Sequence, residues 1–216
     1  MVTSTVIAID GPAGAGKSTV GRAIARRLGV GYLDTGAMYR AVTFAVLRRG
    51  IDPHDIDHVS EIASKIELDV TDVAGATEVV VDGEDVSIEI RGRAVTGAVS
   101  AVAANSGVRA EMVRRQRSVV KEQGGAVVEG RDIGSVVFPD ADLKLFVTAS
   151  ARVRAERRVA EIGGDVDEVE ASIIERDRKD SSRADSPLVE ASDSTVVDTS
   201  GLSIQEVVDH ILGMLS

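Results

Sequence analysis

Cysteine and tryptophan are both absent from this 216-residue chain, which carries only three Phe and two Tyr. Without thiols there can be no disulfide, no thiolate metal site and no cysteine nucleophile, so the interior must hold by packing alone. So few aromatics leave no stacking platform for single-stranded nucleic acid. No apolar run approaches the ~20 residues of a membrane span, and the N-terminal residues lack the basic and apolar regions of a secretory leader. A soluble cytoplasmic protein is expected. Positive charge is also scarce: a net charge of −10 and a pI near 4.8 argue against a general binder of nucleic acid or anionic membranes.

What positive charge there is has a pattern. Arginine outnumbers lysine 20 to 5 and clusters at 109–117, 152–158 and 176–183. Arginine is favoured where phosphate must be gripped by two hydrogen bonds at once. The strongest local signal is Gly11-Pro12-Ala13-Gly14-Ala15-Gly16-Lys17-Ser18, which satisfies G-x-x-x-x-G-K-[ST] directly after the apolar run Val6–Ile9. Glycines let the backbone curl so that successive N–H groups face a phosphate, Lys17 adds a charge, and Ser18 offers a hydroxyl to Mg²⁺. The helix that follows, Thr19–Leu28, aims its positive end at the same phosphates and is ended by Gly29.

Further along, Val30–Leu33 reads as a second strand running into Asp34-Thr35, either of which can cap the next helix. Arg40 stands in the second turn of that helix, close after a strand end, where ligands of α/β sheets gather. Residues 50–93 differ in texture: Thr77–Val81 leads into Asp82-Gly83, a hairpin signal, and the region reads as a small inserted β unit. His54 and His58 have a spacing that admits a metal, but no third ligand is evident and a solvated helix start is the plainer reading. Helices are expected over Ala94–Ala104 and Val108–Val120, with most of Arg109, Arg114, Arg115 and Arg117 on a solvated face. A strand Gly125–Glu129 ends in Gly130-Arg131-Asp132, and Glu129 or Asp132 can hold Mg²⁺ or its water shell; Arg131 would be costly unless it met a ligand or an ion pair. After the strand Leu143–Val147, the helix Ala151–Ile162 carries Arg154, Arg157 and Arg158 near one face and ends at Gly163-Gly164, the makings of an anion-binding, hinged lid. Ser194–Asp198 is a fifth strand, and Ser203-x-x-Glu206 is a capping box opening the last helix.

Five strands alternating with helices predict a P-loop NTPase: a three-layer α/β/α unit on a five-stranded parallel sheet. One loop for a donor nucleotide and several later arginines suit phosphoryl transfer to a second bound molecule, because its loose transition state needs chiefly positioning and positive charge. A GTP-hydrolysing switch would need an N-K-x-D guanine reader, which is absent, and a non-catalytic regulator would not need the arginine-rich lid.

Asp34–Arg40, Ser87–Arg91, Val108–Arg117, Gly130–Ala141, Glu175-Arg176-Asp177, Asp180 and Arg183 through Pro187-Leu188 closely resemble the bacterial cytidylate kinases. That resemblance implies a monomeric kinase of pyrimidine nucleotide metabolism that moves the γ-phosphate of ATP to CMP and dCMP with Mg²⁺. It implies a core of residues 1–34, 106–150 and 172–216, a monophosphate-binding insert of about 35–105 and a lid of about 151–171. Gly11–Thr19 (Gly11, Pro12, Ala13, Gly14, Ala15, Gly16, Lys17, Ser18, Thr19) with Arg154, Arg157 and Arg158 would hold ATP, Ser18 contributing to the metal. Ser100, Arg109 and Asp132 would read the cytosine. Thr35, Arg40 and Arg131 would hold the acceptor phosphate, Arg176 would bridge the phosphates, and Asp180 and Arg183 would address the pentose. Lys17, Arg131, Asp132 and Arg176 would be the catalytic set.

Overall fold

The strand β1 (Val6–Asp10) lies at the centre of a five-stranded parallel sheet, and its side chains alternate between two separate apolar cores. In the computed structural model, which describes residues 5–182 and 187–215, Ile7 and Ile9 face one core and Ala8 the other. The neighbours obey the same period of two. In β6 (Ala126–Gly130), Val127 joins Ile7 and Ile9 while Ala126 and Val128 join Ala8. With β2 (Gly31–Asp34), β7 (Leu143–Thr148) and β8 (Thr195–Asp198), the order across the sheet is β2-β6-β1-β7-β8.

Helices cover both faces. α1 (Lys17–Leu28) sends Val20 and Ile24 into the Ile7 and Ile9 core beside Val207, Val208 and Ile211 of α8 (Ile204–Gly213). The other core is closed by α2 (Thr35–Arg48) and α5 (Ser106–Gln123), which contribute Met38, Val42, Val46 and Val108, Met112, Val120. The expected three-layer α/β/α architecture is therefore present. Asp34 is the residue that caps α2, accepting from Ala37 N at 3.0 Å, and Ser203 with Glu206 completes the capping box of α8.

Residues 50–93 depart from the expected β unit. They open with α3 (Ile56–Lys65), because Asp55 caps it through His58 N and because Val59, Ile62 and Ala63 recur at helical spacing against the core. Only β3 (Leu68–Val73), β4 (Ala76–Val81) and β5 (Glu84–Asp85) form the small antiparallel sheet, turning at Ala74-Gly75 and Asp82-Gly83 with all four residues at positive φ. α4 (Arg93–Ala103) follows, and Asn105 then caps α5. His58 is spent on Asp55 (2.7 Å), and the described residues contain no group of three His, Asp or Glu arranged to hold a metal.

The arginines of α5 also differ from a solvated face. Arg109 is buried and Arg115 half-buried; Arg114 and Arg117 are exposed, Arg114 paired with Glu111. Arg115 caps the carboxyl end of α3, donating to the carbonyls of Ala63 and Ile66 at 3.1 and 3.0 Å. Arg117 does the same for Val136 and Val137 in the wide turn Ile133–Val137. Helix ends leave carbonyls unpaired, and a guanidinium fork satisfies two at once.

The tightest fit is at Gly11, whose φ is +144° and where an added Cβ would stand 1.9 Å from the carbonyl oxygen of Val147. Gly11→Ala is expected to cost about 3 kcal/mol or more, through strain and collision together, read as a lowered urea midpoint.

Candidate active site

The loop between β1 and α1 is gripped from outside by side chains of distant segments. Gly16, in the left-handed conformation at φ +89°, turns the chain into α1, and Lys17 folds back so that its Nζ donates to Pro12 O at 2.8 Å. Arg154 of α6 (Ala151–Ile162) is buried and donates to Ala13 O at 3.2 Å and Ala149 O at 2.9 Å. Arg157 donates to Thr199 through both its oxygens, and the Thr199 hydroxyl stands 3.0 Å from Ala15 O. The loop's carbonyls are thereby held outward, which leaves its N–H groups and the α1 amino end facing the cleft. Gly14 and Thr19 are exposed there.

Three acidic residues end the central strands together. The register pairs Asp34 with Glu129, Glu129 with Ile9, and Asp10 with Gly130, so Asp10, Asp34 and Glu129 crowd the carboxyl edge around Lys17. Glu129 accepts from Ser18 Oγ at 2.8 Å, and its backbone carbonyl accepts from Thr35 Oγ1 at 2.6 Å. Its second carboxylate oxygen is buried with no hydrogen-bond partner. Burial, helped by Asp34, pushes the Glu129 carboxyl up, while burial and the Arg131 guanidinium push the Lys17 ammonium down. Asp10 accepts from Ile133 N and Gly134 N, both at 2.8 Å, yet burial outweighs those bonds and raises it to about 6. The Tyr32 hydroxyl, pushed up by burial and by Glu129, lies beside Ser18 and Glu129 without hydrogen-bond geometry to either.

Across the cleft, Arg40 is held by Ile90 O at 3.2 Å and Thr96 Oγ1 at 3.0 Å. Burial lowers it, Asp34 works against that, and Arg91, Arg158 and Arg131 lower it further. Such a concentration of guanidinium groups is an anion site. Arg131 is paired with the buried Asp180 at 3.0 Å, which meets the requirement that its charge find a partner. Asp132 bonds the buried Arg109, whose guanidinium also lies 5.9 Å from the Tyr39 ring centre. Of the two acids considered for a metal, Glu129 is the one in contact with Ser18. Ser100 is half-buried on α4, and Arg176 half-buried on α7 (Val166–Ser181). Arg158 is exposed and bonded to Glu161, and Arg183 lies outside the described residues.

Asp10, Thr199 and Asp177 carry the site without standing out in the sequence. Asp177 takes Arg154 at 2.7 Å, and Arg152 reaches Asp167, Glu170 and Glu156, so the arginines of α6 are matched by carboxylates instead of repelling one another. A polar residue closing an apolar strand, as Asp10 closes β1 and Asp198-Thr199 closes β8, is the signal that marks two of the three.

The cytidylate kinase family model matches residues 7–216. A cytidylate kinase of Rhodococcus opacus is 51% identical, with 99% of this chain and 96% of that protein covered, and one of Mycobacterium avium is 50% identical, with 98% and 95% covered. Among solved structures, a gluconokinase from Sinorhizobium meliloti shares the fold at 16% identity with a TM-score of 0.53, covering 99% of this chain and 92% of that one.

Because the folded state favours the protonated Asp10, its contribution to stability is full below about pH 4, falls as pH rises and is lost above about pH 6, a change of about 3 kcal/mol. Asp10→Asn is expected to remove that decline, so urea unfolding of the two proteins at pH 4 and pH 7 should differ in slope; equal pH dependence would exclude it.

Proposed function

The chain belongs to the cytidylate kinase family and phosphorylates CMP, and from that premise we propose how its residues divide the reaction. The observation that supports the division is electrostatic: Arg131 acts on both Lys17 of the loop and Arg40 of α2, and lowers each. Two phosphate-bearing molecules, one at Lys17 and one at Arg40, would meet at Arg131.

On the donor side, the loop Gly11–Thr19 and Lys17 cradle the β- and γ-phosphates of ATP, with Arg154 and Arg157 fixing the loop and Arg158 exchanging Glu161 for the nucleotide. A bound phosphate adds negative charge beside the buried Lys17 ammonium, so binding and protonation of Lys17 reinforce each other. ATP-dependent kinases generally require a divalent cation, and we assign it as Mg²⁺. Ser18 and Glu129 suit it, being hard oxygen donors with one carboxylate oxygen unpartnered. When bound, the ion neutralises charge on the β- and γ-oxygens.

On the acceptor side, Thr35, Arg40 and Arg131 hold the phosphate of CMP or dCMP. Asp132 and Arg109, with Ser100, read the cytosine edge: a paired donor and acceptor set, already buried, discriminates strongly because a wrong base leaves it unsatisfied. Asp180 positions Arg131 and, with Arg183, faces the pentose. A phosphate oxygen of CMP attacks the γ-phosphorus in line as the bond to the β–γ bridging oxygen breaks, giving CDP and ADP. The acceptor is already an anion, so no protein base is needed; Lys17, Arg131 and Arg176 stabilise the charge spread over the transferring oxygens. We retain the expectation of a monomer acting on free nucleotides in the cytoplasm. No helix among the described residues is long and apolar enough to cross a membrane.

ADP release measured across CMP, dCMP, UMP and AMP tests the acceptor, with CMP and dCMP expected to dominate. Lys17→Ala should lower kcat about a thousandfold with the fold intact by circular dichroism; near-normal turnover would refute its role. Asp132→Ala should collapse the kcat/KM ratio of CMP to UMP, and an unchanged ratio would refute base reading by this pair.

A further inference from the structure

Ser18 opens α1 and Arg22 lies one turn later on the same face, but Arg22 points away from the nucleotide cleft and toward the small sheet. Its Nε donates to Asp72 of β3 and its second terminal nitrogen to Thr77 Oγ1 of β4 at 2.6 Å. Arg22 and Asp72 are largely buried, at 17% and 19% side-chain exposure, so water offers the pair little competition. The same guanidinium stacks on Tyr32 of β2, 4.7 Å from the ring centre. Tyr32 in turn pairs with Val127 in the β2–β6 register, which makes Glu129 its diagonal neighbour on the same face of the sheet; its hydroxyl and one Glu129 oxygen are two buried oxygens without a partner, beside Ser18. A continuous line of contacts thus runs from the β3–β4 hairpin to the oxygens assigned to the metal: Asp72 and Thr77 to Arg22, Arg22 to Tyr32, Tyr32 to Ser18 and Glu129.

We propose that Arg22, anchored by Asp72, is a positioning residue that holds the Tyr32 ring beside Glu129 and Ser18, so that its hydroxyl is placed to bond the Glu129 carboxylate when a cation occupies the site, and that the hairpin thereby tunes binding of the divalent cation. The inference rests on the assignment of Ser18 and Glu129 to the metal. Three features support it beyond simple bracing. Arg22 uses its planar fork for Asp72 and Thr77 and its flat face for Tyr32, so all three contacts fix one orientation. Tyr32 has no room to retreat, since Gly21 carries no side chain and an added Cβ there would sit 3.0 Å from the ring. And a hydroxyl placed to bond a ligand carboxylate is one way outer groups tune a metal site.

The test is Mn²⁺ binding to the full-length protein saturated with ADP, read as free Mn²⁺ by electron paramagnetic resonance, beside steady-state kinetics. Arg22→Ala, Asp72→Ala and Tyr32→Phe should each weaken Mn²⁺ binding about fivefold. The Arg22→Ala/Asp72→Ala double variant should be no weaker than the worse single, and Arg22→Lys, which keeps charge but loses the fork, should not restore binding. KM for CMP should change less than the cation requirement does. Thr77→Val, which removes one hydrogen bond and leaves the pair intact, checks that the fold tolerates change there and should have the smallest effect. Wild-type Mn²⁺ binding in Asp72→Ala and Arg22→Ala with a lowered melting temperature would make the contact a mere brace and overturn the inference. Ser18→Ala is the reference: if it too leaves Mn²⁺ binding unchanged, the metal assignment itself is wrong, whereas loss in Ser18→Ala alone rejects only the role of Arg22.

Discussion

A parallel sheet covered by helices on both faces leaves one place for charged chemistry, the edge where its strands end, and here that edge is crowded with buried ions. Asp10, Asp34 and Glu129 lie together in the strand register, with Lys17 among them and Arg131 close by. Ions in such a place must be answered by other ions or hydrogen bonds. Much of the surrounding structure consists of those answers: the N–H groups of Ile133 and Gly134 on Asp10, Ser18 on Glu129, Asp180 on Arg131, Arg109 on Asp132. What is left incompletely answered is one Glu129 oxygen and the Tyr32 hydroxyl, both buried at this edge.

This arrangement explains which parts could be read from the chain and which could not. The phosphate loop, the five strands and the caps of α2 and α8 are local: a few adjacent residues determine them, and Gly11–Ser18, Asp34 and Ser203 carried their own evidence. The cytosine and the acceptor phosphate were reached only by resemblance, because no spacing rule connects Arg109 to Asp132, or Arg40 to Arg131, across a fold. The insert was misjudged for a related reason. Its hairpin announced itself through Asp82-Gly83, whereas α3 depends on burial against α5 and on Arg115, a residue some fifty positions away. The roles of Asp177 and Thr199 could not be read because their work is to hold other side chains, and the identity of the held partner is visible only in three dimensions.

The arginine clusters divide by neighbourhood more than by sequence. Arg115 and Arg117 finish helices and turns, Arg152 and Arg154 tie α6 to α7, Arg157 seats the phosphate loop, and Arg40 lies in a field of like charge that Asp34 opposes. A chain with net charge −10 therefore still keeps Lys17, Arg109, Lys144 and Arg154 buried, each beside a carboxylate or a carbonyl that answers it.

On α7, Asp177 and Asp180 stand three residues apart; one holds Arg154 beside the donor loop and the other holds Arg131 at the acceptor. A helix transmits rotation along its length without changing the angle between its side chains, so these two grips turn and travel together. α7 is in this sense a common axle for the two halves of the cleft. Its tolerance for length change must be small: one inserted residue between the two positions would swing one carboxylate by about 100° relative to the other, and the halves would fall out of step even though every residue that touches a nucleotide was still present.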